Sequence, residues 1–381
     1  MQSLPIVGCS GHGRIRAAVL IQEYPGVNVT RTAGLLQERV QHIRVDAQDP
    51  AAEDIDFAAE IMKSGGLVAF PTETVYGLGA IAWEASAVDK IFRVKGRPPN
   101  DPLIVHIAAI DQLSAVAREI PDLACELGRH FWPGPLTLVL KKSARIPANL
   151  TAGLDTVAVR LPDHPVASAL LKAVRAPIAA PSANRFSRPS PTTAQHVLDD
   201  LGDMVDLLLD AGPTTIGLES TIISLVGDSP QVLRPGGLSL EALRRFLPEL
   251  GFSPHFLGED EAALAPGSLL KHYSPRARLI VFQGGDDSAV RAAMRAEIAG
   301  NQNIGVMAGD ADASAFSRLD VKIERLGKDD EGAANRLFAA MRALDQQGVD
   351  LIIARAPEKR GLGLAVWDRL LRAAEGSLVE V

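Results

Sequence analysis

The chain has 381 residues, 47% hydrophobic and 22% charged, proportions that exclude a mostly disordered protein. Its net charge of −7 excludes a surface that clings throughout to phosphate backbones, so any RNA contact is expected to be local and transient. Two isolated cysteines, Cys9 and Cys125, exclude a disulfide framework and a structural zinc site and fit a reducing, cytoplasmic setting.

At this length two domains are expected, each able to bury its own core. No apolar run approaches the roughly 20 residues that span a bilayer, and the first 25 residues lack a sustained apolar core with a cleavage site. Neither a membrane segment nor export is expected. Residues 1–42 carry scattered glycines without periodicity and read as a poorly ordered extension; GCSGHG is too irregular for a dinucleotide fingerprint. From Asp54, the residues Ile55, Ala58, Ala59 and Met62 fall at helical spacing, and Gly65-Gly66 stops that helix before a buried strand at 67–70. The alternation continues with a helix around Val88, Ile91 and Phe92, a strand at 103–107, helices near 111–131 and a strand at 136–140. A strand at 156–161, a helix at 165–174 and strands at 178–180, 207–209 and 221–225 complete an α/β domain over 43–248. Residues 249–275 have the Gly/Pro composition of a linker, and 276–381 repeat the strand–helix alternation as a smaller α/β domain.

Three loops carry chemistry. Pro71-Thr72-Glu73-Thr74-Val75-Tyr76-Gly77-Leu78-Gly79 follows a buried strand, where open α/β sheets place ligands, although its Thr and Glu would serve equally as helix caps. Lys95-Gly96-Arg97-Pro98 offers a point charge and a planar fork to neighbouring phosphates, or else a solvated basic helix end. His106, among apolar strand residues, reads by itself as a core histidine. Pro181-Ser182-Ala183-Asn184, extended by Ser187, Ser190 and Thr192, offers hydroxyls, an amide and backbone N–H groups, or a plain polar turn. The Lys359-Arg360-Gly361-Leu362-Gly363 loop of the second domain is a weak glycine signal.

Taken together, the loops resemble the threonylcarbamoyl-AMP synthases, whose YrdC-like domain is marked by a Lys-x-Arg and a Ser-x-Asn pair; here these are Lys95-Gly96-Arg97 and Ser182-Ala183-Asn184. PTETVYGLG, KGRPPNDPLIVHI, FWPGPLTLVLKK, GLDTVAVRLPDHP, APSAN, GLESTI and VLRPG occur in family order across residues 50–245. KHYSP, at 271–275, resembles the longer members, in which a linker crosses the active site and leads to a second domain. Asp101 departs from the pattern, standing where many members have Asn.

The resemblance implies a YrdC-like twisted mixed sheet with flanking helices, plus a smaller C-terminal Rossmann-like α/β domain. It implies an enzyme that forms threonylcarbamoyl-AMP and pyrophosphate from L-threonine, bicarbonate and ATP, for tRNA threonylcarbamoyladenosine modification by a downstream transferase machinery. Carried over residue by residue, Lys95, Arg97, Ser182 and Asn184 are the expected catalytic groups. Thr74, His106, Arg160, Ala180 and Ser220 are expected around threonine. ATP is expected at Lys95, Arg97, Asp101, Thr156, Ser182, Asn184, Ser190, Arg234 and Tyr273. Magnesium is expected through the ATP phosphates, with no protein ligand assigned. The alternatives are a module that binds RNA or nucleotide without chemistry, and another carbamoyl-adenylating enzyme related to hydrogenase-maturation proteins; the scarcity of cysteine counts against the latter.

Overall fold

A computed structural model describes residues 40–253 and 272–381. Most of the expected N-terminal extension, with Cys9, and linker residues 254–271, Lys271 included, lie outside the described residues.

The first domain is built on ten strands: β1 (Gln41–Arg44), β2 (Val68–Phe70), β3 (Gly77–Ile81), β4 (Ile104–His106), β5 (Leu136–Lys141), β6 (Thr156–Arg160), β7 (Ile178–Ala179), β8 (Leu207–Asp210), β9 (Thr221–Ser224) and β10 (Gln231–Arg234). They form one mixed sheet in the order β1-β8-β2-β3-β7-β4-β6-β5-β9-β10. The central strands are apolar on both faces because helices cover both. Ile55, Ala58 and Met62 of the helix Ala52–Lys63 pack with Val166, Leu170 and Leu171 of Pro165–Val174 against Phe70, Ile178 and Leu207. On the other face Ile91, Leu127 and Val197, from three further helices, meet Tyr76, Val105 and Leu208. Leu240, Leu243 and Leu250 join that second core, so the chain leaves this domain only after them.

Three features differ from the sequence reading. Gly77-Leu78-Gly79, expected in a loop, is strand β3, antiparallel to β2 through Phe70↔Gly77 and Val68↔Gly79. Gly79 is needed there because a Cβ would come within 2.6 Å of Met62 and 2.8 Å of Phe70. The segment Leu233-Arg234, whose following Pro235-Gly236 gives it the look of a turn in the sequence, lies at the end of β10, which pairs with β9. β1 begins at Gln41, inside the expected extension, and runs parallel to β8.

The second domain has five strands, β11 (Arg278–Gln283), β12 (Ile304–Ala308), β13 (Lys322–Arg325), β14 (Leu351–Arg355) and β15 (Leu378–Glu380), in the order β13-β12-β14-β11-β15. All its pairings are parallel, which fits an interior sheet with helices on both faces. Val290, Met294 and Phe316 cover one face, and Leu337, Phe338, Met341 and Leu370 the other. This last cluster continues into the linker and the first domain, because Tyr273 of the one and Val75 and Leu218 of the other belong to it. The helices Asp330–Gln346 and Gly363–Ala373 are therefore the docking face.

Polar contacts fix the dock. Asn335 donates to the carbonyls of Thr214 and Thr215 at 3.0 Å, Arg342 pairs with Asp200 at 2.6 Å, and Arg188 pairs with Asp345 at 2.9 Å. Gly217, at φ 80°, admits the close approach, since a Cβ there would lie 2.5 Å from the Asn335 backbone.

Candidate active site

The expected pairs meet. Lys95 ends the helix Ala85–Lys95, and Gly96, left-handed at φ 65°, caps it and turns the chain so that Arg97 follows directly. The Lys95 Nζ donates to the carbonyls of Ser182 and Asn184, both at 2.6 Å, and Phe186 N returns a bond to the Lys95 carbonyl at 2.8 Å. Ser182 is in turn bridged to Gly77 at the start of β3. Burial, reinforced by the Arg97 charge, pushes the Lys95 ammonium well below the ordinary lysine pKa. The Asn184 amide donates to the carbonyls of Arg185 and Arg188, so it shapes its own loop.

Arg97 is buried and donates to the carbonyls of Asp101 and Pro102, each at 2.9 Å, with its Nη2 also 2.9 Å from the Asp101 carboxylate. That carboxylate contact is an ion pair without hydrogen-bond alignment, because neither Asp101 oxygen counts a hydrogen-bond partner. Burial raises the Asp101 pKa against the opposing pull of Arg97 and Lys95.

At the other end of the cavity stands Arg160, the last residue of β6. It donates to Thr74 Oγ1 at 2.9 Å and to the Gly134 carbonyl at 3.2 Å, and pairs with Glu73 at 2.5 Å. Thr72 organises this corner: its hydroxyl accepts from the amides of Thr74 and Val75 at 3.2 Å and lies 2.7 Å from Thr74 Oγ1. His106 is paired in register with Arg160 across β4 and β6. Burial first, and the Arg160 charge second, lower its pKa to about 3, so it is a neutral imidazole at physiological pH.

The third wall comes from β9, β10 and the linker. Ser220 is 2.7 Å from Thr137 Oγ1, and Arg234 donates to the Ser220 carbonyl at 3.0 Å and 3.2 Å. Glu219 accepts from Ser190 Oγ at 2.5 Å and from Arg369 Nε, on the second domain, at 2.8 Å. Burial raises the Glu219 pKa, but Arg369, Arg234 and the Ser190 hydrogen bond outweigh it and leave it lowered, hence ionised. Tyr273, at φ 64° and 1% exposed, closes this side with its ring beside Phe338, 5.3 Å away. Ser274 N fastens the linker to the Ser187 carbonyl at 2.7 Å.

One cavity is thus lined by Thr74, Arg97, His106, Arg160, Ala180, Ser182, Ser220, Arg234 and Tyr273. Ala180, a small residue immediately after β7, presents only backbone and a methyl. Lys95, Asn184, Ser190 and Asp101 stand immediately behind this lining and hold it through the contacts above. Thr156 is not part of this lining: half-buried, it opens β6 two residues before Ala158, whose register partner Ile104 does line the cavity. Sequence reasoning left out Thr72, Glu219 and His272, which also wall the cavity, and Glu73, which is not part of the lining but pairs with the lining residue Arg160. Glu73 and Glu219 sit inside PTETVYGLG and GLESTI, so the motifs held the signal; a carboxylate beside anionic ligands simply invites no assignment until its counter-charge is seen.

A family profile described as "Telomere recombination" matches residues 60–236, and one described as "Threonylcarbamoyl-AMP synthase, C-terminal domain" matches 238–375. The threonylcarbamoyl-AMP synthase of Pyrococcus abyssi is 45% identical over 328 residues, covering 86% of this chain and 96% of that relative. The Bacillus subtilis protein of the same name is 41% identical, covering 84% and 93%. The crystal structure of P. abyssi Sua5 complexed with L-threonine superposes with a TM-score of 0.83 at 42% identity, over 89% of this chain and 99% of that one. With identity of this degree running through both domains, the chain belongs to the family of threonylcarbamoyl-AMP synthases.

Proposed function

We infer that the chain condenses L-threonine, bicarbonate and ATP into threonylcarbamoyl-AMP, releasing pyrophosphate, and that the product serves tRNA threonylcarbamoyladenosine modification by a separate transferase. The reaction is nucleotidyl transfer. The observation that carries it is the convergence of three arginines, Arg97, Arg160 and Arg234, with hydroxyls from Thr74, Ser182 and Ser220, on one cavity. Such a set suits a ligand pair with a carboxylate at one end and phosphates at the other.

Arg160 and Thr74 suit the threonine carboxylate and amine end, beside the neutral His106 imidazole. Lys95, Arg97, Ser182 and Arg234 suit the phosphates. The threonine amine takes up CO2 from bicarbonate to give a carbamate. A carbamate oxygen then forms a bond to the α-phosphorus while the bond to the bridging oxygen of pyrophosphate breaks. No protein nucleophile is required, so catalysis rests on orientation and on cations that face the developing charge. Among the described residues no group of three His, Cys, Asp or Glu side chains is placed to hold a metal ion. Magnesium is proposed to enter with the nucleotide, neutralising its phosphates through substrate oxygens and water.

Purified protein with ATP, magnesium, bicarbonate and single amino acids should yield an adenylate mass only with threonine. Pyrophosphate release without any adenylate would favour a simple nucleotide-binding or hydrolysing role. Arg97→Glu should abolish the product; retained synthesis would move the phosphate site elsewhere.

A further inference from the structure

We propose that Arg369, carried by the second domain, is a positioning residue for the nucleotide end of the active site: it neutralises Glu219 and backs Tyr273, so that the anion-binding wall stays positive only while that domain is docked. The inference rests on the reading of the cavity as an ATP site.

Glu219 is 7% exposed and lines the cavity, between the Ser190 loop and Arg234. An ionised carboxylate at that place opposes any phosphate brought beside it, and without another partner it would draw on the Arg234 charge at the ligand's expense. Arg369 removes the conflict from behind. Its side chain is fully buried, its Nε donates to Glu219 Oε2 at 2.8 Å, and its guanidinium lies 5.0 Å from the centre of the Tyr273 ring. Asp368, also fully buried, accepts from Arg369 Nη1 at 2.7 Å and from Arg372 Nε at 3.1 Å, which fixes the fork in the helix Gly363–Ala373.

The other buried interdomain pair, Arg342–Asp200, has neither residue on the cavity. The Arg369–Glu219 pair alone, among the described ion pairs between the domains, has a member in the cavity wall. The same arginine stacks on Tyr273, so the charge that clears the wall also steadies the linker residue that closes it.

The test compares the full-length wild type with R369Q, R369K and the double variant E219Q/R369Q. ATP binding is read by calorimetric titration, the KM values for ATP and threonine by pyrophosphate release, and folding by thermal melting. R369Q should weaken ATP binding and raise its KM at least about tenfold while the threonine KM moves less than about threefold. The double variant should recover most of the ATP affinity, because the carboxylate leaves together with its counter-charge; R369K should fall between. An unchanged ATP constant in R369Q, or a folded double variant that binds ATP no better than R369Q, overturns the proposal. If R369Q does not fold, the double variant decides: ATP binding near wild type supports the role, weak binding with an intact melt refutes it. Wild-type protein that binds ATP yet forms no adenylate with threonine refutes the functional reading and leaves this comparison standing; wild type that binds no ATP overturns both.

Discussion

Lys95→Met isolates the cation on which the Ser182–Asn184 loop is hung. The ammonium makes two charge-assisted bonds, each 2.6 Å, to backbone carbonyls, with 3% of the residue exposed. Bonds to a charged partner contribute about 1.5–3 kcal/mol each, so their joint loss costs about 3–6 kcal/mol if the carbonyls stay buried. The loop keeps Ala183 N→Tyr76 O and Phe186 N→Lys95 O, both 2.8 Å, and can open the two orphaned carbonyls to water, which favours the lower end of that range. A domain of this size should then melt about 10 °C lower. Synthesis should fall further than stability, by about 10²–10³-fold, because the loop that Nζ holds carries Ser182 into the cavity wall and its displacement misplaces the proposed phosphate end. Thermal melting and threonine-dependent pyrophosphate release, measured on one preparation well below its melting point, separate the two effects. A melt within about 2 °C of wild type with synthesis within about threefold would show that Nζ neither holds the loop nor meets the nucleotide.

Tyr273→Ala removes a buried ring between Phe338 and Arg369 from the cluster that joins the domains, so it should cost about 3–5 kcal/mol and lower the melt while the fold persists, and it should lower adenylate yield measured well below that melt; unchanged turnover counts against the closing role. His106 has a depressed pKa of about 3, so the unfolded chain takes up its proton near pH 6.5 while the folded protein does not. Stability present above pH 6.5 is therefore lost as pH falls toward 3, on the order of 5 kcal/mol for this group. His106→Gln should flatten that part of a urea-midpoint-versus-pH curve, and an unaltered slope would contradict it. Asp101→Asn should tighten ATP binding by about tenfold, as screened repulsion of the phosphates is removed. Arg97 keeps its two carbonyl bonds, so the variant should fold; weaker ATP binding by calorimetry would show that the carboxylate helps hold Arg97 instead.

The strand–helix alternation was legible because the central strands are buried on both faces and read as mostly apolar runs, as in Leu136–Lys141, where Thr137 is the one polar residue before the closing lysine, and Leu207–Asp210. The helix Pro165–Val174 was legible from its proline start and its spacing. β3 was not, because two glycines within five residues look like a turn unless Met62 and Phe70 are seen pressing on them. The edge strands β1, β10 and β15 were missed because partial burial leaves no alternation strong enough to register.

Residue identity alone left Lys95-Gly96-Arg97 open between a phosphate site and a basic helix end, and Ser182-Ala183-Asn184 open between a ligand loop and a polar turn; the resemblance of the paired motifs supplied the expectation of a shared site, and the fold brings Arg97 and Ser182 to one cavity. Tertiary structure decided which charges remain available, because a cation's reach depends on what already neutralises it, and partners such as Glu73 for Arg160 or Arg369 for Glu219 lie 87 and 150 residues away along the chain. Coulomb interactions fall off with distance in space and take no account of distance in sequence.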